Sequence, residues 1–584
     1  MRKCDKKGKI TACVLAAAMA LSLCACGSGG DSKPSESTAT SKPAEGENKP
    51  AEGEKQDDQG TTENTAGNAA GITYPLEEKV HLTMAMVENA TVTANATDLA
   101  HTPFGEEWQK ATGVELEIMQ LADIDALNLL YASGELPDLI YYSGYTGGEQ
   151  KAIKDKIIQP LNDYMEYAPD LQAVMDSNDL YKKSNTTMDG DIIGFPFIRG
   201  DDYLRTSAGL IIRQDWLDDL NMEIPQTPDE LYDVLKAFKE QKGATAPFSA
   251  ANFWLRDVGI GQGAITSPFG LVKGGFYQID GKVHFGYAEK EYKDLLVFLN
   301  KLYAEGLLDP NFQSVDDNTV RANIMNGDSG VTFGPVGGYI GNMLQTMVFR
   351  YPPRLFSNPG YIGNMLQTME GDASFNLSGF GPLVANRGDR SMSTQYDAAL
   401  KGIYVVVTPQ CKNIEAAVKF LNYGYTEAGH NLFNFGIEGV SYTMENGVPT
   451  YTDIIMHNPE GWTKQLALAQ YTMAWNDGPF VQDKRYSEQY ADLPQQQAAL
   501  KSWTTSDASK YDMPPVRVAE ENASEYSKLT GDINTFISEM TVKYITGLEP
   551  LDTFETEYLG TLQSMGVDRV IELQQGALDD FNAR

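Results

Sequence analysis

The chain has 584 residues, in which 80 Asp and Glu outnumber 46 Lys and Arg, for a formal net charge of −34. That length is too great for one core and predicts two or more domains or lobes. The acidity excludes a nucleic-acid surface or a patch for anionic lipid, since both need clustered Lys and Arg. Four of the five cysteines fall in the first 26 residues, so only Cys411 stands in the remainder and a disulfide scaffold is excluded.

The N-terminus, MRKCDKKGKI, is basic, and the apolar run TACVLAAAMALSLCAC follows it. The run is too short to cross a bilayer, which takes about 20 apolar residues. A basic start before a short apolar run is the pattern of a secretory signal peptide, here residues 1–25. Its end, Leu23-Cys24-Ala25-Cys26, resembles a bacterial lipobox. It offers a small residue before the scissile bond and a thiol, Cys26, to take a thioether-linked diacylglycerol. Two acyl chains anchor stably where one holds only marginally. Residues 26–72 are then a disordered tether: from Ser28 to Asn68 there is no Val, Ile, Leu, Met or aromatic residue. Such a segment cannot bury enough apolar surface to offset its ordering entropy.

From residue 73 the pattern is mixed α and β. KVHLTMAMV (79–87) alternates like a strand, and PFGEEWQKATG (103–113) is a helix with Gly113 as its C-terminal cap. VELEIMQL (114–121) is a second strand; a helix from 123 and a Gly-Pro break lead to a third, DLIYY. This alternation predicts a partly parallel sheet with helices on both faces. Thr227, Pro228 and Glu230 form a capping box opening an amphipathic helix, EYKDLLVFLNKLYAEGL (291–307) is another helix, and the chain is mainly helical from 520.

Several separated stretches carry a family resemblance: TGVELEI with YASGELPDLI, DGDIIGFPF with LIIRQDWLDDLNMEIPQTPDELYDVLKAFK, KLYAEGLLDPNF, and NIEAAVKFLNYGYTEAGHNLFNFGIEGVSYT. Over about 79–580 the chain resembles the family 1 extracellular solute-binding lipoproteins, the receptor components of carbohydrate ABC importers. The resemblance implies an α/β, periplasmic-binding-protein-like (type II) fold of two lobes with a hinge and an interlobe cleft. It assigns 73–200 plus 400–450 to lobe 1, and 201–399 plus 451–584 to lobe 2. Many such relatives carry an Asp/Asn-rich calcium loop after the helix matching DELYDVLKAFKE; here that place reads QKGATAPFSA (241–250), so no calcium is expected there.

Catalytic signatures are weak. H-E-x-x-H and G-x-x-x-x-G-K-[ST] do not occur. GDSGV (327–331) has the look of a protease nucleophile loop, but the five histidines supply no matching context, and a turn entering a strand accounts for it. With 80 acidic residues, carboxylate pairs nominate no glycosidase dyad. A sugar site wants aromatic platforms with carboxylates, amides and Arg. The candidates at strand ends and loops are Glu88, Asn89, Tyr142, Tyr145, Arg199, Asp201, Asp202, Trp254, Arg256, Tyr339, Glu438, Trp475 and Asn476. Each could serve equally in packing; Trp108 and Trp216, on helices, are expected in cores.

The decapeptide GYIGNMLQTM occurs at 338–347 and again at 360–369, separated by VFRYPPRLFSNP. The repeat predicts a 22-residue insertion near the cleft, its linker an exposed loop. The leading expectation is a lipid-anchored monomer on the outer face of the cytoplasmic membrane. It would capture a carbohydrate, an oligosaccharide above all, and deliver it to an ABC permease, with no cofactor, metal or catalytic residue. A surface-anchored polysaccharide-acting enzyme and a sugar-sensing module without transport are the alternatives.

Overall fold

A computed structural model describes residues 72–341, 343 and 374–584. The signal peptide, Cys26, the tether up to residue 71 and the insertion at 348–369 lie outside the described residues. Lobe 1 is built on a six-stranded sheet in the order β13-β4-β10-β3-β1-β2. Its strands are β1 (Val80–Val87), β2 (Val114–Leu121), β3 (Leu139–Tyr142), β4 (Phe195–Arg199), β10 (Leu400–Val407) and β13 (Val481–Gln482). Strands β1 and β2 run parallel in register from Val80↔Val114 to Val87↔Leu121, and β3 joins β1 in parallel at Met84↔Leu139. Strand β10 is antiparallel to both β3 and β4.

The helices between these strands begin and end where their caps dictate. Helix Pro103–Thr112 opens on Thr102, whose hydroxyl accepts from the Gly105 amide, and closes on Gly113 at φ 77°. Its buried face brings Trp108 onto Phe420, rings stacked at 4.2 Å, with Phe433 edge-on at 5.1 Å. Trp108 is thus a core residue, as expected, and so is Trp216 in lobe 2, 5.1 Å from Phe238.

Lobe 2 has a three-stranded antiparallel sheet, β8-β5-β9, of β5 (Ala208–Arg213), β8 (Val331–Pro335) and β9 (Leu377–Phe380). A hairpin of β6 (Phe276–Ile279) and β7 (Lys282–Phe285) lies apart from it. Helix Pro228–Lys242 forms on the capping box read from the sequence: Glu230 N donates to Thr227 Oγ1 at 3.3 Å, and Thr227 N to Glu230 Oε2 at 3.2 Å. Helix Tyr292–Ala304 and the long helix Glu520–Thr546 bury Leu295, Leu299, Ile537 and Tyr544 in the same core. Trp503 lies flat on the sheet because residue 209 is glycine; a Cβ there would come within 2.3 Å of the indole nitrogen.

The lobes are joined by three passages of chain, at residues 200–207, 381–399 and 483–491. The first two are stitched together. Arg205 Nε donates to Asp397 O at 2.6 Å, Gln395 Oε1 accepts from Ser207 N at 2.7 Å, and the Arg205 guanidinium sits 3.8 Å over the Tyr396 ring. The third passage corrects the expected boundary. Lobe 2 was expected to resume at 451, but Ala469, Met473 and Phe480 pack in the lobe 1 core and β13 extends its sheet. The chain therefore leaves lobe 1 after Gln482. Hairpin β11 (Tyr442–Glu445) and β12 (Val448–Tyr451) closes over Phe435 in the same lobe.

Two motifs find structural roles in lobe 2. GDSGV is the turn into β8, where Ser329 is buried and its hydroxyl donates to Ala246 O at 2.6 Å. The first copy of the repeat begins as the helical turn Val336–Gly341 after β8, with Tyr339 and Ile340 buried.

Candidate functional site

The C-terminal ends of β1 and β3 open onto a cavity of about 340 Å3. Ligand sites of open α/β sheets form at such strand ends. Its floor is apolar, from Met86, Val92, Leu99 and Met473, and its polar groups are Asn89, Ser143, Asn476 and Asp477, with Tyr141 and Trp475 as aromatic walls. Asn89 is fixed twice. Its Oδ1 accepts from Thr91 N at 2.9 Å, capping the short helix Ala90–Thr93, while its Nδ2 donates to Asn476 Oδ1 at 2.7 Å. Glu88, the next residue back, is exposed and accepts from Thr93 Oγ1 at 3.1 Å.

The loop bearing Trp475, Asn476 and Asp477 is held from three sides. Thr472 Oγ1 donates to Leu468 O at 2.8 Å and accepts from Ala474 N at 3.2 Å; Gln482 Nε2 donates to Ala474 O at 2.8 Å. The Tyr141 hydroxyl donates to Asp477 O. Burial, and then the charge of Asp477, pushes the Tyr141 phenol well above its ordinary value, so it stays a donor.

An aromatic wall continues from the cavity toward lobe 2. The Trp475 ring lies 5.2 Å from Tyr490, and Tyr490 stacks with Tyr486 at 6.5 Å. Tyr490 in turn abuts Gly337 of lobe 2, where a Cβ would fall 2.0 Å from the phenolic oxygen. Glycine is what lets the wall meet the second lobe. On lobe 2, residues Phe253–Ile260 wind as a π-helix, a form frequent at functional sites. Phe253 is 57% exposed and lies 5.1 Å, edge-on, from the half-buried Trp254.

The structure brings Asn89, Trp475 and Asn476 together at the cavity, with Glu88 adjoining and Trp254 on the other lobe. Arg199 and Asp201 stand at the first passage between lobes. Arg199 Nη2 pairs with Asp397 at 2.9 Å and is largely buried; Asp201 caps the turn Asp202–Arg205 through Tyr203 N at 2.8 Å and pairs with Lys484 at 3.3 Å. Asp202 accepts from Tyr396 Oη at 3.2 Å in the same passage.

Five candidates lie elsewhere. Tyr142 is wholly buried on the opposite face of the sheet among Tyr131 and Tyr404, because successive strand residues point to opposite faces. Tyr145 packs 5.4 Å from Tyr131 and donates to Asp155 at 2.7 Å. Tyr339 is wholly buried in lobe 2 and donates to Asp317 at 3.1 Å. Arg256 is turned into its own lobe, with Nε 2.7 Å from Asp257 and Nη1 3.2 Å from Ser538 Oγ. Glu438 is exposed before hairpin strand β11. Sequence reasoning passed over Tyr141, Asp477, Tyr486 and Tyr490. Tyr141 could have been found from strand periodicity, and Asp477 from its adjacency to Trp475 and Asn476.

Among the described residues there is no group of three or more His, Cys, Asp or Glu placed to hold a metal ion. No described helix is long and apolar enough to cross a membrane. The segment after helix Pro228–Lys242, which lacks carboxylates, is laid against β8 instead, with Phe248 bridged to Val331 and Leu308.

The family model for bacterial extracellular solute-binding proteins matches residues 93–431. The chain is 26% identical to lipoprotein LipO of Bacillus subtilis (strain 168) over 63% of its own length and 68% of that protein's. It is 23% identical, over 89% of its length and 95% of the other's, to the fructooligosaccharide ABC transporter substrate-binding protein FusA of Streptococcus pneumoniae serotype 4 (strain ATCC BAA-334 / TIGR4). The crystal structure of alginate-binding protein AlgQ2 without calcium ion superposes with a TM-score of 0.64 at 23% identity, covering 87% of this chain and 99% of that one. Likeness at that identity speaks to the fold, two α/β lobes of the periplasmic-binding-protein type.

Proposed function

From the premise that this chain belongs to the bacterial extracellular solute-binding protein family, we propose that it binds an oligosaccharide between its lobes and delivers it to an ABC permease. The observation that carries the reading is the cavity at the ends of β1 and β3, where an indole, two amides and a carboxylate share an apolar floor. Sugars present apolar ring faces fringed with hydroxyls. Trp475 offers a stacking platform, Asn89 and Asn476 offer donors and acceptors, and Asp477 accepts from hydroxyls. The relative FusA, named for fructooligosaccharide transport and matched along 95% of its length, supports the same class.

Binding proceeds in two stages. The sugar first meets the lobe 1 cavity, whose described lining comes from that lobe alone. Rotation about the passages at 200–207, 381–399 and 483–491 then brings Phe253 and Trp254 toward it. Contacts made only in the closed form drive that closure. The lipobox supports a membrane tether through Cys26, and the lipoprotein relative fits it. Cys26→Ser is expected to release the protein to the medium or leave it unprocessed; full membrane retention of a correctly cleaved variant would refute the tether.

A thermal-shift screen over oligosaccharides tests the main reading. A true ligand at 100 times its Kd stabilises by about 2.7 kcal/mol. A panel of varied composition and length that produces no shift would contradict the proposal.

A further inference from the structure

The cavity at the ends of β1 and β3 is polar at its rim and apolar at its bottom. Its deepest lining residues, Val92, Leu99 and Met473, are at most 3% exposed and carry no polar side chain. Asn89, Asn476 and Asp477 are half-buried, and Ser143 is exposed. The hydrogen-bonding groups next to the bottom are spent on one another. Gln470 is buried and donates from Nε2 to Val92 O at 2.8 Å and to Thr91 O at 3.3 Å. Thr472 Oγ1 donates to Leu468 O, and Gln482 Nε2 to Ala474 O. The main chain is engaged as well. Met473 N donates to Phe433 O at 2.8 Å, Met473 O accepts from Asn476 N at 2.9 Å, and Leu99 O accepts from Thr102 Oγ1 at 2.8 Å. Among the described residues, no side chain lining the cavity carries a buried nitrogen or oxygen that lacks a hydrogen-bond partner. What the bottom offers a polar group is the thioether of Met473, a weak acceptor.

Resting on the carbohydrate reading, we infer that the cavity takes a sugar residue bearing a methyl group, that of a 6-deoxyhexose or of an acetyl, with the methyl on the apolar bottom. A ring laid on Trp475 with its hydroxyls at the amide pair Asn89–Asn476 sends one substituent inward. A hydroxymethyl group in that place gives up its water and meets no donor or acceptor, and a polar group buried unpaired is costly. A methyl gives up nothing polar and gains close contact with Val92, Leu99 and Met473. The unbranched Met side chains adjust to its shape. An apolar pocket rejects an added hydroxyl by no more than about a hundredfold, which sets the upper end of the expected preference.

Isothermal titration of the purified protein with sugars paired at one group tests this. L-rhamnose is set against L-mannose, L-fucose against L-galactose, and N-acetylglucosamine against glucose, each free and as the terminal residue of a matched oligosaccharide. A methyl-bearing member that binds about tenfold or more tighter than its partner supports the inference, and the pair that shows it tells the deoxy methyl from the acetyl one. Met86→Gln and Met473→Gln keep side-chain length and bring an amide to the floor, so each is expected to narrow the preference. An unchanged preference in both folded variants overturns the inference. A preference below tenfold in every pair that binds overturns it and leaves the carbohydrate reading standing. So does a sugar of the wider screen that binds while no methyl-bearing one does. If no sugar binds at all, the carbohydrate reading falls and the inference with it.

Discussion

At the scale of single residues, the site divides into groups that meet the sugar and groups that hold those in place. Trp475 is half-buried against Tyr490, so its ring is both supported and accessible. Trp475→Ala is expected to weaken oligosaccharide binding by about 1–3 kcal/mol, the scale of a lost aromatic platform, with little change in unfolding free energy; titration beside urea unfolding separates the two. Asp483, at the start of the third passage, belongs to the second group. Burial alone would raise its carboxyl, but hydrogen bonds from His430 and Arg485 outweigh that and hold it well below the usual carboxylate range. Its contribution to stability is therefore complete above the ordinary Asp value, near 3.9, and is lost as pH falls below it. Urea midpoints measured from about pH 5 down to about pH 3 should fall less steeply for Asp483→Asn than for the unaltered protein. Asn89, Trp475 and Asn476, nominated from loops as well able to serve in packing, stand together at the cavity. Residue identity misled at Tyr142, since neighbouring strand tyrosines differ only in the face they point to and Tyr141 is the one at the cavity.

At the scale of elements, caps and periodicity made helix Pro103–Thr112, helix Pro228–Lys242 and strands β1 to β3 readable, because their signals are local. What the local signals omit is the partner each element packs on. The second half of helix Glu520–Thr546, from Ile533 to Ile545, is buried in lobe 2, yet the segment before it sends a side chain to lobe 1. Arg517 there pairs with Glu149 at 2.7 Å and donates from Nη2 to Ser184 O at 2.8 Å and Tyr404 Oη at 3.1 Å. Arg584, ending helix Val567–Ala583, donates to Thr186 O at 2.9 Å. Both arginines thus reach the C-terminal end of helix Asp179–Ser184, where backbone carbonyls lack helical donors and cations are favoured. Arg517→Ala strands Glu149 in a largely buried place and is expected to cost about 3–5 kcal/mol in urea unfolding. A loss below about 1 kcal/mol, the worth of a surface pair, would show the contact to be dispensable.

At the scale of the whole molecule, two lobes, each with its own large buried cluster, follow from a length too great for one core. The two-lobe architecture was legible through motif order. The point of the last crossing was not, because β13 is two residues long and carries no strand signal of its own. Three passages that cross side by side, two of them stitched by Arg205 and Gln395, form a joint about which the lobes can turn. The central claim is that a sugar sits at the lobe 1 cavity and is covered from lobe 2. A crystal structure with the tightest oligosaccharide found in the screen tests it most directly. The account predicts a sugar ring against Trp475, hydroxyls on Asn89, Asn476 and Asp477, and Phe253 with Trp254 drawn over the ligand. A sugar found instead in the cavity of about 260 Å3 between hairpin β6–β7 and the C-terminal helices, lined by His284, Glu289, Leu562 and Ile571, would contradict it.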